Sequence, residues 1–92
     1  MKRVACVISG RVQGVGYRNW VYSRAKLFKV FGYVRNLSDS SVEVLAEADE
    51  EILKEFIAEI KIGPKLSKVS QIDCTWSEVV EDFFTEFEVR KG

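Results

Sequence analysis

The run Gly10-Arg11-Val12-Gln13-Gly14-Val15-Gly16-Tyr17-Arg18 holds the residues whose types and spacing best suit chemistry. Gly14 and Gly16 allow backbone conformations closed to other residues, so successive N–H groups can turn toward one point. A strand pattern precedes the run and a helix pattern follows it. The free N–H groups and the positive dipole end of that helix add to the same place, which suits an anion. Arg18 supplies a permanently charged fork that matches two phosphate oxygens. Taken alone, such a run reads first as a tight turn with a surface arginine, and the rest of the chain must support anything more.

The 92-residue chain contains no His. That removes Ser-His and Cys-His nucleophile pairs, an imidazole base and His ligation of a metal. Two cysteines, Cys6 and Cys74, make no zinc site by themselves. The remaining tools are Arg, Lys, carboxylates, amides, hydroxyls and backbone N–H groups. Spacing excludes several other phosphate motifs. No Lys-Ser/Thr pair follows the glycines, as a Walker loop requires, and glycines at 10, 14 and 16 do not fit the dinucleotide fingerprint. Only four residues separate Cys6 from Arg11, one short of a cysteine-phosphatase loop, and Cys6 lies within the strand pattern. Asp39 is followed by Ser40 and Ser41, so no Asp-x-Asp nucleophile motif is present.

The 14 basic and 14 acidic residues cancel, but they are unevenly placed. Every charged residue before Asp39 is basic: Lys2, Arg3, Arg11, Arg18, Arg24, Lys26, Lys29 and Arg35. A basic segment attracts anions, although folding can mix it with acidic neighbours. The asymmetry does not separate a small phosphate ligand from nucleic acid. Hydrophobic residues make up 47% of the chain, enough for a core and too many for disorder. The length implies one domain over 1–92. No apolar run approaches the roughly 20 residues of a membrane helix. The amino terminus lacks the features of a signal peptide, so a cytoplasmic location is expected.

The elements that must position the loop follow from hydrophobic period. Residues 3–9 are rich in β-branched side chains and read as a strand. Tyr17 to about Phe28 suits a helix, with Val21, Ala25 and Phe28 on one side. Val30 to Arg35 alternates, Leu37 to Ser41 carries turn chemistry, and Val42 to Ala46 alternates again with Glu43 and Glu47 facing out. Ile52, Leu53, Phe56, Ile57 and Ile60 form an apolar helical stripe. Asp49 is placed to cap that helix, Glu50 and Glu51 suit its dipole, and Gly63-Pro64 ends it with Gly63 in the left-handed closing position. Val69 to Trp76 and Phe83 to Val89 read as strands on either side of an acidic stretch. The order is β-α-β-β-α-β plus a short final strand. This predicts an α+β, ferredoxin-like split βαβ, a mostly antiparallel sheet with both helices on one face. Val4, Cys6, Ile8, Val30, Val34, Val42, Val44 and Val69 are expected to face the helices. RNA-recognition modules share this topology, but they stack bases on aromatics of the first and third strands. Here those strands carry none, while Phe31 and Tyr33 fall on the second, so no nucleic-acid partner is expected.

Gly10 to Arg18 strongly resembles the acylphosphatase signature Gly-x-Val-Gln-Gly-Val-x-Phe-Arg, with Tyr17 for Phe. Gly32-Tyr-Val-Arg-Asn36, then Asp39-Ser40 and Val42-Glu43, resembles the family's second signature. Gly63-Pro64 with Val69, and Phe87-Glu-Val, extend the likeness over nearly the whole chain. The resemblance implies hydrolysis of small acyl phosphates to carboxylate and inorganic phosphate, with no metal or other cofactor. It implies that the loop Gln13, Gly14, Val15, Gly16, Tyr17 and Arg18 holds the phosphoryl group, and that Asn36 positions the attacking water. Arg18 and Asn36 are thus the expected catalytic residues of a monomer without membrane or nucleic-acid partners. An acyl phosphate already carries a good leaving group, so positioning and charge stabilisation can replace a histidine base.

Three residues depart from the family's usual glycines: Lys29, Ser40 and Ala48. The first two are expected near positive φ, at a cost of about 1 kcal/mol each. A second function class stays open from sequence, a non-catalytic phosphate- or carbamoyl-phosphate-binding module like the acylphosphatase-like domain of the hydrogenase-maturation carbamoyltransferase. That domain occurs within a long chain, whereas this sequence ends after its last strand pattern. The topology also makes Cys6 and Cys74 neighbours, either as two reduced core thiols or as a disulfide.

Overall fold

Each strand follows from alternation and each helix from an apolar stripe. The computed structural model describes residues 1–81 and 84–91. In order, the elements are β1 (Lys2–Arg11), α1 (Tyr17–Phe28), β2 (Phe31–Asn36), β3 (Val42–Ala48), α2 (Glu50–Ile62), β4 (Lys68–Glu78) and β5 (Phe87–Arg90). They form a five-stranded sheet in the order β4-β1-β3-β2-β5. All neighbours are antiparallel except β2 and β5. This is the ferredoxin-like α+β arrangement expected from the sequence.

One face of the sheet is closed by the helices. Val4, Cys6, Ile8, Val34, Val42, Val44 and Ala46 meet Val21 and Ala25 of α1 and Leu53, Phe56 and Ile60 of α2 in one buried cluster. Phe56 contacts Phe28 and Phe87 edge-on, which joins the two helices to β5. The expected stripe of α2 is present, with Ile52 and Ile57 half-buried at its margins.

Direction matters more than packing for the site. β1 and β2 are both antiparallel to β3, which lies between them, so they run the same way and end at the same edge of the sheet. Two strand spacings put those ends about 10 Å apart. β5 is parallel to β2 and ends there too. The topology therefore gathers the segment after β1, the end of β2 and the end of β5 at one place.

Several local features differ from the sequence expectation. β4 is longer than 69–76, and β5 begins at Phe87; Phe83 lies outside the described residues. Ser70 is an extra residue in the β1–β4 ladder, between the pairs Ser9–Gln71 and Gly10–Val69. This bulge lets Val69 and Ile72, three apart, both pack on the core. Gly10 is required at the bulge, because a Cβ there would stand 2.2 Å from the Lys68 carbonyl oxygen. Asp49 occupies the N-cap position of α2 without a side-chain capping bond. Gly63 has positive φ but extended ψ (73°, 176°), so it is not a left-handed helix closure.

Glu47 is a further correction. It lies on the sheet face away from the helices, yet it is only 1% exposed. Arg3, its register partner on β1, holds it with an ion pair and a 2.7 Å bond from Nε. Phe84 and Thr85, beyond β4, help to line its surroundings with Met1 and Phe31. The acidic stretch thus leads into a segment that crosses this face, which alternation within β3 could not reveal.

Candidate active site

Val12, Gly14, Gly16, Tyr17, Arg18, Asn19 and Asn36 line a cavity of about 220 Å³ where β1, α1 and β2 meet. Buried Val12 anchors the start of the loop in the core. Gly14 and Gly16 have φ of 73° and 76°. A Cβ at either would meet nothing within 4 Å, so the glycines are needed for their conformation and not for space. Gly16 is the N-cap of α1, and it offers no side chain to satisfy the helix's free N–H groups. No acidic residue occupies the first turn. The helix therefore presents an uncompensated positive end to the cavity.

Arg18, the second residue of α1, adds a positive charge to that same end, where an isolated helix disfavours it. Its Nη1 donates to the carbonyl oxygen of Arg90 at 3.0 Å. The end of β5 thus steadies the guanidinium of this half-buried side chain. Tyr17 follows a different course. Its ring is buried, and its hydroxyl donates to the Ile60 carbonyl at 2.6 Å. Burial, then the nearby Cys6, pushes the phenol far above its ordinary value, so it stays a donor.

Asn36 closes the cavity from the end of β2. Its Oδ1 is buried and has no hydrogen-bond partner. Unpaired buried acceptors are uncommon and costly, by about 1–3 kcal/mol. Asn36 therefore does not act as a turn asparagine whose Oδ1 satisfies backbone donors.

The turn after Asn36 is tied to the loop by Gln13. Gln13 Nε2 donates to the Leu37 carbonyl at 2.9 Å and to the Ser41 carbonyl at 2.8 Å. Leu37 and Ser41 also close the turn between themselves, with Leu37 N–H donating to Ser41 at 2.8 Å. Asp39 accepts from the Ser41 N–H at 3.0 Å and from the Ser41 hydroxyl. These bonds, the hydroxyl first, hold the Asp39 carboxyl below its ordinary value. Ser40 stands between them at φ 76°.

Of the loop residues expected to hold phosphate, Gly14, Gly16, Tyr17 and Arg18 line the cavity. Gln13 and Val15 do not: the Gln13 side chain turns to the β2–β3 turn, and Val15 packs against the core. Val12 and Asn19 line the cavity without having been singled out. Their position on either side of the glycines was the available signal. Among the described residues, no three or more His, Cys, Asp or Glu side chains converge as metal ligands. A glycine cradle, an uncompensated helix end, a forked cation and an unpaired carboxamide oxygen can together bind a phosphoryl group and orient a water.

Fold and site together define a ferredoxin-like domain with an anion cradle between its first strand and first helix. Comparison with known proteins specifies it further. The acylphosphatase family model matches residues 4–89. The acylphosphatase of Pseudothermotoga lettingae is 45% identical over 89 residues, covering 97% of this chain and 98% of that protein. The crystal structure of acylphosphatase from Bacillus subtilis superposes with a TM-score of 0.93 at 38% identity, covering 98% of this chain and 99% of that one. A structure of full-length HypF matches with a TM-score of 0.81 and 30% identity, covering 99% of this chain but 12% of HypF. The chain belongs to the acylphosphatase family, hydrolases that act on small acyl phosphates.

Proposed function

We propose that the cavity between β1, α1 and β2 is the catalytic site, with Arg18 and the loop binding the phosphoryl group and Asn36 holding the attacking water. The observation that carries this reading is the buried, unpartnered Oδ1 of Asn36, set in the same cavity as Gly14, Gly16 and Arg18. Phosphoryl oxygens accept from loop N–H groups and from the Arg18 guanidinium. A water donates one hydrogen to Asn36 Oδ1 and directs its lone pair at phosphorus. The new P–O bond forms as the bond to the acyl oxygen breaks, and the carboxylate leaves with the electron pair. The water's proton passes to a phosphoryl oxygen, giving inorganic phosphate. Carboxylate is a good leaving group, so the chain's own donors and positioning suffice and no metal is required. The enzyme is proposed to act as a monomer in the cytoplasm; no helix among the described residues is long and apolar enough to cross a membrane.

Hydrolysis of benzoyl phosphate, followed by release of benzoate and inorganic phosphate, tests the reading. Inorganic phosphate should inhibit competitively, because it fills the same cradle as the substrate's phosphoryl group. Non-competitive inhibition, or none, would remove the cradle from the reaction.

A further inference from the structure

β1 and β4 bring the chain's two cysteines face to face, away from the catalytic cavity. Cys6 and Cys74 are direct partners in the antiparallel register, and their Sγ atoms approach to 2.6 Å. Both are free thiols. Residues directly opposed in such a ladder have Cα atoms about 4.5–5.5 Å apart, within the range a disulfide spans. Their surroundings differ. Cys6 is fully buried in the core, whereas Cys74 is half-buried on β4, the edge strand of the sheet. Neither thiol lines the catalytic cavity, although Cys6 lies near the buried ring of Tyr17.

We propose that Cys6 and Cys74 form a reversible oxidation site, closed to an intrachain disulfide by an oxidised low-molecular-weight thiol such as glutathione disulfide, with Cys74 as the point of entry. Cys74, as thiolate, attacks one sulfur of glutathione disulfide and expels one glutathione thiolate. Cys6 then attacks the Cys74 sulfur, and its proton passes to the departing glutathione thiolate. The Cys6–Cys74 bond forms, the mixed disulfide breaks, and a second glutathione leaves. Two protein thiols are oxidised and one glutathione disulfide is reduced to two glutathiones. The order follows from access. Burial, and then the bond to Cys74, pushes the Cys6 thiol well above its ordinary value, so Cys6 keeps its proton until the mixed disulfide stands beside it. The bond would fix the edge strand to β1 and close most of the chain into a loop, which restricts the unfolded state.

The reduced full-length protein is equilibrated with graded ratios of glutathione disulfide to glutathione, acid-quenched, and read by intact mass and thiol titration after unfolding without reductant. The wild type should lose both thiols together, lose the mass of two hydrogens and retain no glutathione. Proteolysis without reductant should yield a linked Cys6–Cys74 peptide. The denaturant midpoint should rise on oxidation and return with excess reductant, while turnover stays unchanged. Cys6→Ala should trap one glutathione on Cys74, and folded Cys74→Ala should take up none. Two free thiols at the most oxidising ratio, a stable glutathione adduct on the wild type, or linkage between chains would each overturn the proposal. The wild-type peptide map decides the matter even if Cys6→Ala does not fold.

Discussion

Arg18 and Asn36 share a cavity but are proposed to act on different partners, so their loss should look different. The guanidinium faces the phosphoryl group before and during reaction. Arg18→Ala should therefore weaken phosphate binding and abolish turnover, and Arg18→Lys should rescue poorly, since a point charge replaces a fork. Asn36 is proposed to hold only the water. Asn36→Ala should leave phosphate affinity near wild type while lowering kcat by about 10²-fold or more. Phosphate titration and steady-state kinetics on folded variants separate the two roles. Asp39 contributes at the same scale through pH. Its folded pKa is depressed by Ser41, so its stabilisation is fully present above the ordinary value of 3.8 and is lost as pH falls below that through the folded value. Asp39→Asn removes that titration. Denaturant midpoints across pH should show a shallower loss of stability below 3.8 than the wild type; an unchanged slope would detach Asp39 from the turn's stability. The two catalytic candidates were legible in the sequence because each sits in a signature run. The sequence did not reveal that the Gln13 side chain turns away from the cavity, because its partners, Leu37 and Ser41, are backbone carbonyls far along the chain.

At the scale of elements, the site depends on how the loop, the β2–β3 turn and the start of α1 are fixed to one another. Gln13 joins the first two. Gln13→Ala should lower both stability and kcat, because the turn that follows Asn36 loses its tie to the loop. Gln13→Glu should do worse, since a carboxylate would face two carbonyl oxygens. If the alanine and glutamate variants keep wild-type kcat, the tie does not position Asn36. Two backbone positions carry strain beside these elements. Lys29 closes α1 at φ 59°, ψ 45°, and Ser40 turns between β2 and β3 at φ 76°. Lys29→Gly and Ser40→Gly should each raise stability by about 0.5–1 kcal/mol, as relief of strain outweighs the added unfolded entropy. They lie at opposite ends of β2, so the gains should add to within about 0.5 kcal/mol. Lowered denaturant midpoints would show that other contacts already compensate the strain. Both positions stood out in the sequence because the family resemblance expects glycine there. The β1–β4 bulge did not, because a strand's period of two gives no sign of one extra residue until its partner's register is known.

For the whole molecule, one principle links sequence to function: β1, β2 and β5 run the same way, so segments distant in sequence end at a single edge. The helix-facing half of this arrangement was readable, because Val4, Cys6, Ile8, Val34, Val42 and Val44 fall on alternate positions of β-branched-rich runs. The other sheet face was not. Tyr33 donates to Glu43 at 2.9 Å and lies under the Arg90 guanidinium, 4.1 Å from the ring centroid, with Phe84 beside it. Phe84, which also helps to cover Glu47, lies before β5 in a stretch whose pattern reads as part of that strand, so its place over this face was not legible. The same convergence of strand ends underlies the claim that loop amides, Arg18 and Asn36 suffice for hydrolysis. Steady-state hydrolysis of benzoyl phosphate in excess chelator tests that claim most directly. The account predicts full wild-type turnover under these conditions, with Arg18→Ala inactive and Asn36→Ala strongly impaired in the same buffer. Loss of wild-type turnover in chelator, restored by magnesium or zinc, would contradict it.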